Sequence, residues 1–311
     1  MKEPLVSICC ITYNHELYIR DALEGFVKQK TSFPFEVLIS DDCSHDGTRA
    51  IIAEYKNKYP DLFRDVSPVS NLGMYGNFVH VLEHTIGKYV ALCDGDDFWT
   101  DPYKLQKQIE ILEEDKTIVA CFTDCMVVNV DGKTILTEKR LTVGKTEAGP
   151  YNLRDFLRDN STSTLSLVYR NNHRGELLQH LEQLKNDYLG DWPLYICLLV
   201  YGDMYYLNQV TCAYRENPDS VTHTIWSNKR VGREKASRML FRKIADFLPD
   251  RYADIAEKFR DIRWTWVKLM FAYKAEKRYI GMAGCLIVAI IVCPRSLLQA
   301  FRSGVEKRKS H

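Results

Sequence analysis

The stretch Tyr89-Val90-Ala91-Leu92-Cys93-Asp94-Gly95-Asp96-Asp97-Phe98-Trp99-Thr100-Asp101-Pro102 decides how the rest of the chain is read. It opens with the short continuous apolar run of a buried strand. It closes with a helix-start signal, since Asp101 suits an N-cap and Pro102 the first helical position. A helix is therefore expected over Tyr103–Glu114. Between the two lie crowded acids, which repel one another unless a cation sits among them. A divalent ion such as Mn²⁺ or Mg²⁺ prefers hard oxygen ligands and can be held by few protein carboxylates, leaving positions for diphosphate oxygens. Asp94 and Asp96, separated only by Gly95, point the same way from an extended backbone. One can hold the metal while its neighbour takes a sugar hydroxyl. The bland alternative is a solvated acidic turn, and the placement between buried strand and capped helix weighs against it.

Working outward, strands and helices alternate. Leu5–Ile11 is an apolar run, and Glu16–Lys30 places Ile19, Leu23, Phe26 and Val27 on one helical face. Phe35–Ile39 reads as a second strand, Thr48–Tyr59 as a helix, Leu62–Val66 as a third strand and Asn77–Ile86 as a helix. This alternation predicts an α/β fold with a mostly parallel sheet flanked by helices, whose ligand crevice lies at the C-terminal ends of the strands. A second acidic group, Ser40-Asp41-Asp42-Cys43-Ser44-His45-Asp46-Gly47-Thr48, falls at such an end. Ser44, Asp46, Gly47 and Thr48 are accounted for by capping and turning. Asp41 and Asp42 exceed what a cap needs, and acids at strand tips can take a base N–H or a ribose hydroxyl. Thr12-Tyr13-Asn14 ends the first strand beside them, with an aromatic ring to pack on a base.

Beyond the quoted stretch the pattern changes. Ile118–Val130, Asp131-Gly132 and Lys133–Leu136 read as a hairpin, followed by a loop over Thr137–Pro150. Asn152–Asp159 reads as a helix, Thr164–Tyr169 as a strand, Gly175–Lys185 and Asp191–Tyr201 as helices, and Met204–Tyr214 as a strand. From Asn228 the pattern is helical. Two parts are expected: a sheet domain over 1–226 and a helical extension over 227–311.

Composition narrows the class. The 311 residues are 46% apolar and 27% charged with a net charge of +1, which argues against disorder and offers no global signal for nucleic acid. The ten cysteines sit mostly in apolar runs and read as small buried hydrophobes of a reducing compartment. Cys121 and Cys125 lack the partners a zinc site needs. Leu5–Ile11 is too short for a signal peptide, so the cytoplasm is the expected location.

Taken together, Thr12-Tyr13-Asn14, Asp41 to Thr48, Asn71-Leu72-Gly73 and Gly87 to Leu92 leading into the acids resemble the family 2 glycosyltransferases, which have the GT-A fold. The run from Asp94 to Gln108 resembles a bacterial branch that builds cell-surface polysaccharides. The likeness covers residues 1–115 well and 191–214 more loosely. It implies a nucleoside-diphosphate-sugar donor, with Thr12, Tyr13, Asn14, Asp41, Asp42, Asn71, Asp94, Gly95, Asp96 and Arg215 at the donor and Asp94 and Asp96 at the metal. Cys43 stands where the family carries Gly or Ala, and Met74-Tyr75-Gly76 replaces its usual Ala-Arg-Asn.

Inverting transfer needs a general base for the acceptor hydroxyl. The residues of Leu189-Gly190-Asp191-Trp192-Pro193 allow a plain helix N-cap at Asp191, whereas the resemblance implies that Asp191 is the base. Trp99, Asp97, Trp192 and Thr162, the last within the polar segment 160–164, are expected to line the acceptor site. Arg215 is placed to neutralise diphosphate, and His223 is a displaced match to a family histidine.

The run Tyr279–Cys293 is the most apolar, yet too short to span a bilayer. Arg295, Arg302, Lys307, Arg308 and Lys309 follow it, a combination suited to anionic cytoplasmic lipid and hence to a lipid-linked glycan acceptor. The expected activity is inverting sugar transfer in capsule, lipopolysaccharide or exopolysaccharide synthesis. The competing readings are a nucleotidyltransferase and a non-catalytic nucleotide-sugar-binding module.

Overall fold

A computed structural model describes residues 3–139, 147–158, 162–185, 191–216, 230–261 and 265–293. The chain divides into two compact units, Met1–Lys185 with Gly190–Asn217, and Asn186–Leu189 with Pro218–His311.

In the first unit the elements are β1 (Val6–Thr12), α1 (Ile19–Val27), β2 (Phe35–Asp41), α2 (Thr48–Lys58), β3 (Phe63–Asp65), α3 (Gly73–Glu83), β4 (Tyr89–Leu92), β5 (Phe98–Trp99) and α4 (Lys104–Glu114). There follow β6 (Ile118–Val128), β7 (Thr134–Lys139), β8 (Gly149–Tyr151), α5 (Leu153–Arg158), β9 (Val168–Arg170), α6 (Arg174–Gln183), α7 (Trp192–Tyr201) and β10 (Asp203–Arg215). The strands form one sheet in the order β3-β2-β1-β4-β9-β6-β10-β5, with β7 on β6 and β8 on β10. β3, β2, β1 and β4 run parallel, as do β6 and β10, while β9 joins the two groups antiparallel. The α/β sheet read from the sequence is present, and its parallel half is the part the alternating pattern predicts.

Burial explains the parallel half. Ile8, Cys10, Val37, Ile39, Tyr89 and Ala91 lie within one apolar cluster with Leu23 and Phe26 of α1 and Leu105 of α4. Each large apolar side chain so buried contributes roughly 1.5–3 kcal/mol. All ten cysteines are free, and nine are buried. Thr12 pairs with Asp41 across β1 and β2, and β4 flanks β1 on the other side. Three neighbouring strand tips therefore present Asp41, Thr12 and, just beyond β4, Asp94.

Four local expectations change. Thr164–Ser166 is a 3₁₀ turn, and the strand begins only at Val168. The carbonyls of Leu165 and Ser166 are taken by the Trp99 indole and the Gln108 amide, each at 2.8–2.9 Å, and Ser166 Oγ donates back to the Ser163 carbonyl. α3 starts at Gly73, where φ is +74° and the Asn71 side chain accepts the Gly73 N–H. α4 starts at Lys104, because Asp101 Oδ1 caps the Tyr103 N–H in a turn that contains Pro102. The expected loop over Thr137–Pro150 is partly strand, since β7 reaches Lys139 and Gly149–Tyr151 pairs with β10. Residues 140–146 lie outside the described residues.

The second unit contains α8 (Arg230–Ala245), α9 (Ala253–Arg260), α10 (Thr265–Ala275) and α11 (Tyr279–Val292). Leu269, Met270 and Ala272 of α10 pack on Cys285 and Ala289 of α11. A Cβ at Gly281 would meet the Tyr273 ring at 2.5 Å, so glycine permits that approach. Among the described residues no helix is long and apolar enough to cross a membrane.

Candidate active site

The β1 and β2 tips are stitched together by side chains that the sequence offered as ligands. Asn14, at φ +55°, donates its N–H to Ser44 Oγ and accepts the His45 N–H on Oδ1. Asp41 is fully buried; the Ser44 N–H and hydroxyl donate to its carboxylate, and Arg49 Nε lies 3.7 Å away. Asp42 Oδ1 accepts the Leu72 N–H at 2.7 Å, and its carbonyl accepts from Asn71 Nδ2 at 2.8 Å. Asp42 and Asn71, expected at the donor, are thus committed to fixing the loop before α3. Tyr13 stays 42% exposed, edge-on to His45. Cys43 sits at φ +65°, in a conformation glycine adopts freely and cysteine does not.

The acid turn is held by three contacts. The Gly95 N–H donates to the Ile11 carbonyl and the Asp97 N–H to the Asp94 carbonyl. A Cβ on Gly95 would lie 2.7 Å from Thr12 Oγ1, so only glycine lets β1 and this turn approach. Asp96 remains partly exposed, with His15 Nε2 3.9 Å from its Oδ2. Thr12 Oγ1 and His15 Nδ1 are buried with no hydrogen-bond partner among the described residues. Burial first, then the charges of Asp96 and Asp191, push the Asp94 carboxyl up to about 8.

Asp191 precedes α7 but makes no side-chain capping bond, so the N-cap alternative is not realised. Its Oδ2 instead accepts the hydroxyls of Thr164 at 2.6 Å and Tyr195 at 2.7 Å. Thr162, expected at the acceptor, hydrogen-bonds the same tyrosine. Burial raises the Asp191 carboxyl above its ordinary range, and the Thr164 and Tyr195 bonds oppose that rise. Tyr195 escaped sequence reading, whereas Thr164 falls within the polar segment 160–164 expected at the acceptor; Tyr195 lies one helical turn after Asp191, the spacing at which side chains meet.

Three expected ligands have other employment. Trp99 is 4% exposed; its indole packs edge-on against Phe26 at 5.0 Å and donates to Leu165. Asp97 is buried and accepts the Arg215 N–H at 2.8 Å. Burial and the charges of Asp96 and Asp94 drive its carboxyl well above the usual range. Neither Trp99 nor Asp97 offers a surface to an acceptor. The Arg215 guanidinium is 2% exposed and donates to the Asp96 carbonyl, the Val130 carbonyl and Asp21 Oδ2, at 2.7–2.9 Å. It braces the acid turn from within rather than facing diphosphate. Trp192 is partly buried against Phe156, with ring centroids 5.1 Å apart. His223, Asn160, Ser161 and the basic residues from Arg295 to Lys309 lie outside the described residues.

Beneath this site runs a buried polar strut. Lys104, fully buried, donates to Gln108 Oε1 at 2.7 Å and lies 4.3 Å from the centre of the Trp99 ring. Burial pulls its ammonium down to about 8. Gln108 Nε2 donates to Cys121 and Ser166. Gln108 and Trp99 together therefore fix the turn that carries Thr164.

No three His, Cys, Asp or Glu side chains among the described residues form a group that could by itself hold a metal ion. Asp94 and Asp96 offer hard carboxylate oxygens, the ligand type that Mg²⁺ and similar cations take alongside phosphate oxygens. The Asp94 carboxyl is raised first by burial and then by neighbouring like charge, and a cation beside it would oppose both.

An uncharacterized protein of Mycobacterium tuberculosis is 36% identical over 225 residues, 72% of this chain and 62% of that protein. The match thus spans less than two thirds of that relative's length. A Bacillus subtilis protein provisionally named teichuronic acid biosynthesis glycosyltransferase TuaG is 28% identical, covering 89% of this chain and 98% of its own. Among solved structures, Staphylococcus aureus TarS 1–349 with UDP-GlcNAc superposes with a TM-score of 0.62 at 17% identity, covering 96% and 92% of the two chains. The mannosyltransferase PcManGT from Pyrobaculum calidifontis, in complex with GDP-Man and Mn²⁺, gives 0.56 at 19%, covering 98% and 81%. These two likenesses establish the fold. The family model of glycosyl transferase family 2 matches residues 7–170, and with the acids of its strand tips in place the chain belongs to that family.

Proposed function

We propose that this chain is an inverting glycosyltransferase that moves a sugar from a nucleoside-diphosphate sugar to an acceptor hydroxyl during synthesis of a cell-surface polysaccharide. The observation that supports the reading is the placement of Asp94 and Asp96 in the turn just beyond β4, with Asp191 at the start of α7 held by the hydroxyls of Thr164 and Tyr195. Family membership, and the name of the B. subtilis relative, support the reaction class and the polysaccharide setting.

In this reading Tyr13 packs on the donor base beside Asp41, which reaches the base N–H by giving up Ser44 Oγ. Asp94 and Asp96 hold a divalent cation, Mn²⁺ or Mg²⁺, together with the diphosphate. The bound cation supplies Lewis-acid stabilisation of the leaving nucleoside diphosphate. The acceptor oxygen attacks the anomeric carbon from the opposite face, Asp191 takes its proton, and the bond from carbon to diphosphate oxygen breaks. Thr164 and Tyr195 hold Asp191 Oδ2, which leaves Oδ1 for the acceptor hydroxyl. Residues 1–226 form the catalytic part and 227–311 an extension that brings the enzyme to the inner face of the cytoplasmic membrane, where a lipid-linked glycan is the acceptor.

A panel of nucleotide sugars, assayed with Mn²⁺ and with chelator, tests the reading. Cation-dependent release of a nucleoside diphosphate together with a product of inverted anomeric configuration is expected. Release of pyrophosphate would indicate nucleotidyl transfer instead, and binding without turnover a carrier module.

A further inference from the structure

The second unit pairs two helices of opposite character. α8 carries Arg230, Arg233, Lys235, Arg238, Arg242 and Lys243 against Glu234 alone. α11 has no charged residue in its 14. One face of α11 packs on α10 through Cys285 and Ala289. The other is exposed and wholly apolar: Ile280, Ala283, Gly284, Ile287, Ile290 and Ile291 recur at helical spacing, with Ile280 93% and Ile291 72% exposed. A helix apolar all round belongs in a core or in lipid, and a continuous exposed apolar face marks an interaction surface.

An open cleft of about 700 Å³ adjoins that face. Lys235, Arg238 and Arg242 of α8, at helical spacing, form one wall, and Gly281, Gly284, Cys285 and Val288 of α11 the other. Gly284 belongs to both the cleft and the exposed face, so the basic wall and the apolar stripe are continuous. Arg238 is partly buried there, and burial first, then the neighbouring Arg242 charge, disfavour its charged form. A bound anion would relieve that repulsion.

We propose that this surface seats the protein on an anionic phospholipid bilayer, with the outer face of α11 at the acyl boundary and lipid phosphates in the cleft against Lys235, Arg238 and Arg242. The charge decides the occupant: a second copy would bring the same basic helix, whereas an anionic leaflet supplies acyl chains and phosphates side by side. The proposal gives a structural basis to the membrane contact and rests on the transferase reading only for its purpose, delivery to a lipid-linked acceptor.

Vesicle flotation of the full chain tests it. Wild type is expected to float with vesicles of phosphatidylglycerol and phosphatidylcholine, and at least about tenfold less with phosphatidylcholine alone or in 0.5 M salt. The pairs Lys235→Glu/Arg242→Glu and Ile287→Asp/Ile291→Asp are each expected to lose about tenfold or more in binding. Circular dichroism and turnover with a soluble acceptor should match wild type. Failure of wild type to float, binding indifferent to salt, or a dimer in light scattering dispersed by Ile287→Asp/Ile291→Asp would overturn the proposal. Floating without any sugar transfer would leave it standing and remove the transferase reading.

Discussion

The hydroxyl of Tyr195 donates to Oδ2 of Asp191 at 2.7 Å, the same oxygen that Thr164 reaches from the 3₁₀ turn before β9. A helix-start acid with an unused cap and two hydroxyls on one oxygen is a held carboxylate. Both bonds favour its charged form and offset burial.

Removing either hydroxyl should therefore move the Asp191 carboxyl upward. Tyr195→Phe and Thr164→Val are expected to shift the acid limb of the pH–rate profile to higher pH. kcat near neutrality should fall about tenfold, with donor affinity unchanged. Steady-state kinetics across pH and donor binding by calorimetry check this. Asp191→Asn should cost about 10²–10⁴ in kcat while keeping donor affinity; transfer at the wild-type rate would remove Asp191 as base.

The Asp94 carboxyl, pushed up to about 8, binds more protons in the folded state than in the unfolded one between its ordinary value near 4 and 8. Stability of the metal-free protein must fall as pH rises through that window. Asp94→Asn should remove the penalty, raising the metal-free Tm at pH 8 by about 2–4 °C and flattening its pH dependence. Scanning calorimetry at pH 6 and pH 8, with and without Mn²⁺, gives the comparison. Added Mn²⁺ should restore wild-type stability at pH 8 and leave the variant unaffected.

Cys43, at φ +65°, spends conformational energy that glycine would not. Cys43→Gly is expected to stabilise the fold by about 1 kcal/mol, or about 2–4 °C in Tm. The change touches neither Asp41 nor the acid turn, so turnover should hold. A lower Tm would show that the bond from its thiol to the Pro68 carbonyl outweighs the backbone cost.

The acids of the site were legible in the sequence because a carboxylate cluster after a buried strand has few inexpensive structural uses. Asp94 and Asp96 stand out on that ground, and their donor and metal roles come from the family resemblance. Trp99 and Asp97, expected at the acceptor, are buried, and adjacency along the chain does not say which side chains turn inward; Trp99 faces Phe26 in the core. Asn71, Asp42 and Arg215 are polar groups fixing loops, and sequence cannot separate a loop staple from a ligand. The bonds of Thr164 to Asp191 and of Gln108 to Ser166 could not be read because the partners lie 27 and 58 residues away, and only the fold brings them together. The parallel half of the sheet followed from periodicity. The antiparallel insertion of β9 did not, because three residues are too few to show a period.

The central claim is that Asp94 and Asp96 hold a cation against the donor diphosphate. Calorimetric titration of UDP and of GDP into wild type and Asp96→Ala, each with and without Mn²⁺, tests it most directly. In wild type Mn²⁺ should tighten the preferred nucleotide at least about tenfold, the coupling of a shared metal, and Asp96→Ala should abolish the gain. Equal affinity with and without Mn²⁺, or full coupling in Asp96→Ala, would contradict the account.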